Sequence, residues 1–174
     1  ALNGRNINNA DLLQADALIT RSVTAVTREL LAGTPVRFVG SCTIGIDHVD
    51  TDYLDEVGIA FANAPGSNAD SAAQYTFSAL LALEKRHHFD LREKTVGIVG
   101  CGNVGSRLKI LLDALGVRSL IIAPFLHERG REGLCDLDEV LQADIISFHV
   151  PLSREGKYPT YQMVNAELLK KMNP

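Results

Sequence analysis

Three glycines raise the first chemical question. Gly100, Gly102 and Gly105 stand in G-x-G-x-x-G spacing, after the apolar run TVGIVG and within the pattern NVGSRLKILLDALG that begins a helix. A pyrophosphate needs backbone N–H groups at close range and the positive end of a helix. In that setting Gly100 permits the tight turn, Gly102 lets the backbone approach the phosphates, and Gly105 lets the helix pack on its strand. The spacing alone is weak evidence. The strand before it, the helix after it and the second apolar run SLIIA (119–123) supply the context of a dinucleotide fold. Such a fold places an acid at the end of the second strand, where it accepts the adenosine ribose hydroxyls. Ala123 occupies that place. A hydrogen bond involving a charged group contributes about 1.5–3 kcal/mol. The sequence therefore predicts a site that cradles the pyrophosphate but holds NAD roughly tenfold to a hundredfold less tightly. Pro124, Phe125 and Leu126 follow, with no arginine to receive a 2′-phosphate.

The other reactive side chains form no competing centre. His48 and Asp50, in DHVD, suggest a dyad, but a turn followed by a helix cap is the simpler reading. His87 and His88 are adjacent, cannot share one face of an element, and read as part of a polar link. His127 and His149 are isolated, and no metal-ligand spacing joins the five histidines. Cys42, Cys101 and Cys135 are odd in number and lack a C-x-x-C, which fits reduced thiols in a cytoplasmic protein. Cys101, inside the glycine loop, reads as a small filler.

The chain has 174 residues, 46% of them hydrophobic and 22% charged, with a formal net charge of -4. These values suit a soluble globular protein of one core or two small domains. The mild acidity and the lack of a like-charge block argue against nucleic acid or an anionic membrane as partner. No apolar run has the length of a membrane span, and the opening ALNGRNINNA has no signal-peptide pattern.

Strands and helices alternate on either side of one long helix. Buried strands are expected at 15–20, 36–40 and 58–63, with short helices at TRELLAG and DTDYLDEVG between them. Asp50 or Thr51 should cap the second helix, and Gly58 should end it. Residues 67–86 carry apolar or small side chains at 69, 72, 73, 76, 77, 80 and 83, near a 3.6-residue period. HHFDLREK (87–94) reads as a polar link. Strands TVGIVG, SLIIA and DIISFHV follow, with helices near 103–115, 137–142 and 165–172. Alternation of this kind implies parallel sheets. Right-handed crossovers would put the glycine loop at the carboxyl edge of its sheet, with Ala123 and Val150 in the same crevice.

The whole chain resembles the D-isomer-specific 2-hydroxyacid dehydrogenases. Four stretches carry the likeness: ALITRSVTAVTRELLAG, RFVGSCTIGIDHVD, ANAPGSNADSAAQYTFSALLAL and REKTVGIVGCGNVGSRL. The wording RSVT, SCTIGIDHVD and the tail HVPLSREGKYPTYQMVNAELLKKMNP point to a branch that acts on a phosphorylated sugar acid. The resemblance implies an α/β architecture with a partial flavodoxin-like substrate domain over 1–80. A partial, Rossmann-like NAD-binding domain would cover 81–174, with 67–86 as the hinge helix. It implies hydride transfer from the C2 hydroxyl of a small-molecule substrate to NAD, and a homodimer for the full-length member. Ser22 and Thr43 match substrate-contacting positions and are expected to face the glycine-loop crevice. Their hydroxyls, with nearby amides, suit a carboxylate or phosphate. Gly100, Gly102, Asn103, Val104, Gly105, Ala123 and Val150 match cofactor positions. Val150 stands where near relatives have a threonine, and Gln74 where a glutamate is common. The resemblance places a further strand before Ala1 and the catalytic Arg, Glu and His beyond Pro174. The expectation is therefore a fragment, inactive alone. The alternative is a non-catalytic module that binds NAD or a partner.

Overall fold

A computed structural model describes residues 5–173. They divide into two compact units, one reaching to Asn68 and the other starting at Ala69. Each contains a three-stranded parallel sheet.

The first unit runs β1 (Ala17–Thr20), α1 (Arg28–Leu31), β2 (Phe38–Ser41), α2 (Thr51–Val57) and β3 (Ala60–Asn63). The strands lie in chain order, with Leu18 level with Val39 and Val39 level with Phe61. A short 3-10 turn, Asn9–Leu12, precedes them; its Asn8–Asp11 capping box was not foreseen. Both helices start as their sequences require. Thr27 accepts the Leu30 N–H at the head of α1, and the Asp50 carboxylate accepts the Tyr53 N–H at the head of α2. Gly58 closes α2 at φ 72°, a conformation that favours glycine. Leu18, Val26, Leu31, Val39 and Leu54 form the core on one face of the sheet. The other face is open, and Ile19 upon it is 61% exposed.

The second unit begins with the long helix α3 (Ala69–His87), which leads through a 3-10 turn, Leu91–Glu93, into β4 (Thr95–Val99). Next come α4 (Asn103–Leu115), β5 (Arg118–Ile122), α5 (Pro124–His127), α6 (Leu137–Val140), β6 (Ile145–Phe148) and α7 (Ala166–Lys171). The sheet order is β5-β4-β6. The chain leaves β4 toward one edge, then returns to the other side of β4. That reversal makes a topological switch point, where a crevice opens at the carboxyl ends of the strands. Val99 is level with both Ile122 and Phe148, so the three strands finish together. Val96, Ile98, Leu108, Leu112 and Ile121 are buried among α3, α4 and the sheet.

Three details differ from the sequence reading. His87 is the last residue of α3 rather than part of a link, and the link itself holds the 3-10 turn. Leu83, on the expected apolar stripe, stays exposed. Glu84 turns toward the turn instead, and its Oε1 accepts the Leu91 N–H at 2.9 Å. The single turn α5 directly after Ala123 was not foreseen; Pro124 at its first position makes it favourable.

Candidate functional site

The glycine loop is built by steric necessity at two positions and left open at the third. Gly100 has φ 99°, and a Cβ there would sit 2.5 Å from the His149 carbonyl oxygen. A Cβ on Gly105 would be driven into the Gly100 carbonyl, so α4 can start this close to β4 only without one. Gly102 is different. A Cβ there meets nothing within 4 Å, so the fold itself does not require glycine at this place. Gly102 is also the N-cap of α4, and no side chain caps that helix. Its first-turn N–H groups and its positive end therefore face outward beside a residue with no side chain, a cradle suited to a phosphate pair.

A cleft of about 350 Å³ lies against this loop. Gly100, Gly102, Ala123 and Val150 all line it, so three chain segments expected to share a crevice do so. Asn103, Val104 and Gly105 do not form its wall. Gly105 is buried, Val104 packs on the core, and Asn103 lends its carbonyl to Arg107, which also grips Asp70 of α3 at 2.6 Å. Ala123 is almost fully buried and its carbonyl accepts the Leu126 and His127 N–H groups, starting α5. Val150 packs over Gly100, since its Cγ1 would lie 2.8 Å from a Cβ there.

The rest of the wall was missed by sequence reasoning. Phe125 of α5 and the loop from Pro151 to Thr160 supply it, with Lys157 and Tyr158 prominent. The signal was available: any segment that follows a strand at the carboxyl edge arrives at the crevice, and SREGKYPTY follows β6. The Tyr158 ring meets Phe125 edge to face, with centroids 5.0 Å apart. The Tyr158 hydroxyl donates to Glu128 at 2.6 Å, and Lys157 pairs with the same carboxylate. Those two donors hold the Glu128 carboxyl below its ordinary value. His149 also lines the cleft; its ring bonds Ser147 Oγ at 2.9 Å, and burial lowers its pKa from 6.5.

In the first unit, Ser22 and Thr43 both follow the carboxyl ends of strands. Ser22 is exposed in the turn closed by the Thr24 N–H on the Arg21 carbonyl. Thr43 lies past β2, where its hydroxyl meets Ser41 Oγ at 2.8 Å. Ser41, buried and unmarked by the sequence reading, also bonds His48 Nε2 at 3.2 Å. His48 thus secures the turn while Asp50 caps α2, and the two form no dyad. Among the described residues, no group of His, Cys, Asp or Glu could hold a metal, and no helix is long and apolar enough to cross a membrane.

A parallel sheet with a switch-point crevice, a glycine loop opening onto it and a second parallel unit upstream together define a class. The chain belongs to the D-isomer specific 2-hydroxyacid dehydrogenases: that family's catalytic-domain pattern matches residues 5–173. Among curated relatives, the erythronate-4-phosphate dehydrogenase of Cronobacter sakazakii is 52% identical over 100% of this chain and 47% of its own length. The Salmonella arizonae enzyme of the same name is 50% identical, over 98% of this chain and 46% of its own. The chain thus spans about half the length of the curated relatives it matches. Among solved structures, the cofactor (NAD+)-bound 3-phosphoglycerate dehydrogenase of Entamoeba histolytica aligns with a TM-score of 0.77 and 27% identity, covering 94% of this chain and 54% of that one. The family and fold read from the sequence are borne out.

Proposed function

We propose that this chain forms the dinucleotide site and part of the substrate site of an NAD-dependent dehydrogenase that oxidises 4-phospho-D-erythronate at C2. By the same resemblance the whole protein is a cytoplasmic homodimer serving the route to pyridoxal 5′-phosphate. The observation that carries the reading is Gly102. It opens onto the cleft shared with Ala123 and Val150, in a chain about half identical to erythronate-4-phosphate dehydrogenases.

Bound NAD supplies the acceptor for the hydride leaving C2. The chain's own residues bind and orient. The loop amides at Gly100–Gly105 and the start of α4 hold the pyrophosphate. The buried wall of Ala123 and the side chain of Val150 exclude water from one side of the cleft. In the first unit, Ser22 and Thr43 offer hydroxyls to the substrate's carboxylate or phosphate, and Ser41 with His48 fixes the Thr43 rotamer.

Calorimetric titration of the full-length protein tests this. NADH should bind, 4-phospho-D-erythronate should then bind to the loaded protein, and Gly102→Asp should remove the first event. A carboxylate at an N-cap favours the helix but repels the pyrophosphate. Unchanged NADH binding in Gly102→Asp would refute the site.

A further inference from the structure

The cleft lacks a carboxylate at the end of β5 but contains a cation that the sequence reading did not place there. We propose that Lys157 and Tyr158 take over the adenosine ribose that an acid at position 123 would have held, and that the site therefore accepts NADP at least as well as NAD. The inference rests on the cleft being the dinucleotide site.

An acid at the end of β5 does two things at once. It accepts the ribose hydroxyls, and it repels a phosphate at the 2′ position. Ala123 does neither. A 2′-phosphate then needs only a cation within reach, and lysine serves as a point charge for phosphate without a fixed fork geometry.

Position is the main support. Tyr158 lines the main cleft together with Ala123, and it also lines a second hollow of about 220 Å³ that Ala123 shares with Ile122 and His127. Tyr158 therefore shares both hollows with Ala123. Its ring is fixed against Phe125, and its hydroxyl is tied to Glu128 in the turn after α5. Lys157 is held to the same spot, with Nζ on Glu128 and 5.4 Å from the Tyr158 ring centre. The segment that follows Ala123 is thus bonded to the loop that carries the cation. The Lys157 and Glu128 side chains are 66% and 40% exposed, so their pairing is weak and Nζ can turn to a phosphate at little cost. Glu128 itself is not on the cleft wall.

One other charged side chain competes. Glu155 lines the cleft too, on the other side of Gly156 in the chain. If Glu155 received the ribose hydroxyls, NAD would be preferred after all. Glu155 lacks the ties that bring Lys157 and Tyr158 to α5, and for that reason we assign the ribose to the latter pair.

Calorimetric titration of the full-length protein with NADH and with NADPH separates these cases. NADPH should bind as tightly as NADH or more tightly. Lys157→Gln should weaken NADPH about tenfold more than it weakens NADH, the scale of one charge-assisted contact to the 2′-phosphate. Added salt should weaken NADPH more than NADH. Ala123→Asp should reverse the preference, and it also shows that a variant at the site still folds and binds. The proposal is overturned if NADPH binds more weakly than NADH, if Lys157→Gln changes both equally, or if Glu155→Gln weakens NADH selectively. Binding of neither dinucleotide would refute the cofactor reading itself, a result distinct from binding of NADH alone.

Discussion

The two units use the same alternation of strand and helix and reach different ends. In the first, three strands lie in chain order and one face of the sheet stays open, with Ile19 exposed upon it. In the second, the order β5-β4-β6 puts the earliest strand in the middle, and Val96 and Ile98 of that strand are completely buried. Only a reversed order opens a crevice between neighbouring crossovers. It also brings the end of β6 against the glycine loop, which explains why Gly100 cannot carry a Cβ. The hydroxyls of the first unit, by contrast, sit in turns after the strands and are positioned by local hydrogen bonds such as Ser41 to Thr43. One unit shapes its cleft by packing, while the other fixes its hydroxyls in turns.

The strongest way to break that contrast is to truncate one strand residue in each sheet. Ile98→Ala should cost about 2–5 kcal/mol, as for a buried aliphatic side chain in a core that cannot collapse. Ile19→Ala should stay within about 0.5 kcal/mol. Denaturant midpoints measure both, with hydrogen exchange assigning each loss to its own sheet. Equal costs would mean that the open face is covered in solution.

Next in size is the pair of loop glycines. Gly105→Val forces a side chain into the Gly100 carbonyl and should cost about 1–3 kcal/mol through overpacking. Gly102→Asp meets open space and should leave stability within about 0.5 kcal/mol, while NADH binding is lost. If both variants lose stability alike, Gly102 is a structural glycine and the cradle is not open for a ligand.

Local signals made much of this legible in the sequence. Asp50 and Gly58 announce both ends of α2, and the glycine spacing with its flanking runs announces β4 and α4, because each depends on backbone conformation fixed by nearby residues. The site was read only in part for the opposite reason. Lys157 and Tyr158 reach the cleft through a loop whose path is set by contacts with Phe125 and Glu128, some thirty residues away in the chain. Nothing in the spacing of SREGKYPTY records those contacts. Ser41 was missed similarly, since its role appears only when the turn brings His48 back to it. Leu83 was misread because a perfect 3.6 period ignores where the partner surface ends.

In the first unit, where turns and caps carry the positioning, the cap should matter out of proportion to its exposure. Asp50→Ala removes the acceptor for the Tyr53 N–H and should cost about 1 kcal/mol. Asp50→Asn should restore most of it, because the amide oxygen can accept the same bond. Thermal unfolding of the three forms is the check. Equal stability of all three forms would show that α2 is held by Leu54 and Tyr53 packing alone.

The smallest expected effect belongs to the second unit and depends on pH. His149 lies at the end of β6 against the glycine loop, and burial disfavours its charged form, so its folded pKa lies below the ordinary 6.5. Well above pH 6.5 the ring is neutral in the folded and unfolded chain alike, and it adds no pH dependence. As pH falls below that value the unfolded chain takes up the proton first. Stability then declines until the folded-state pKa is passed, and levels off below it. His149→Asn removes the titration and should flatten this part of the stability profile between neutral and mildly acidic pH. The neutral side chain can still hydrogen-bond Ser147. Denaturation curves of both proteins at several pH values give the difference directly, with the other histidines common to both. A wild-type profile that falls no faster than the variant's would mean that the cleft around His149 admits enough water to keep the charged ring solvated. The glycine loop and the end of β6 would then be less tightly closed than the packing of Val150 over Gly100 implies.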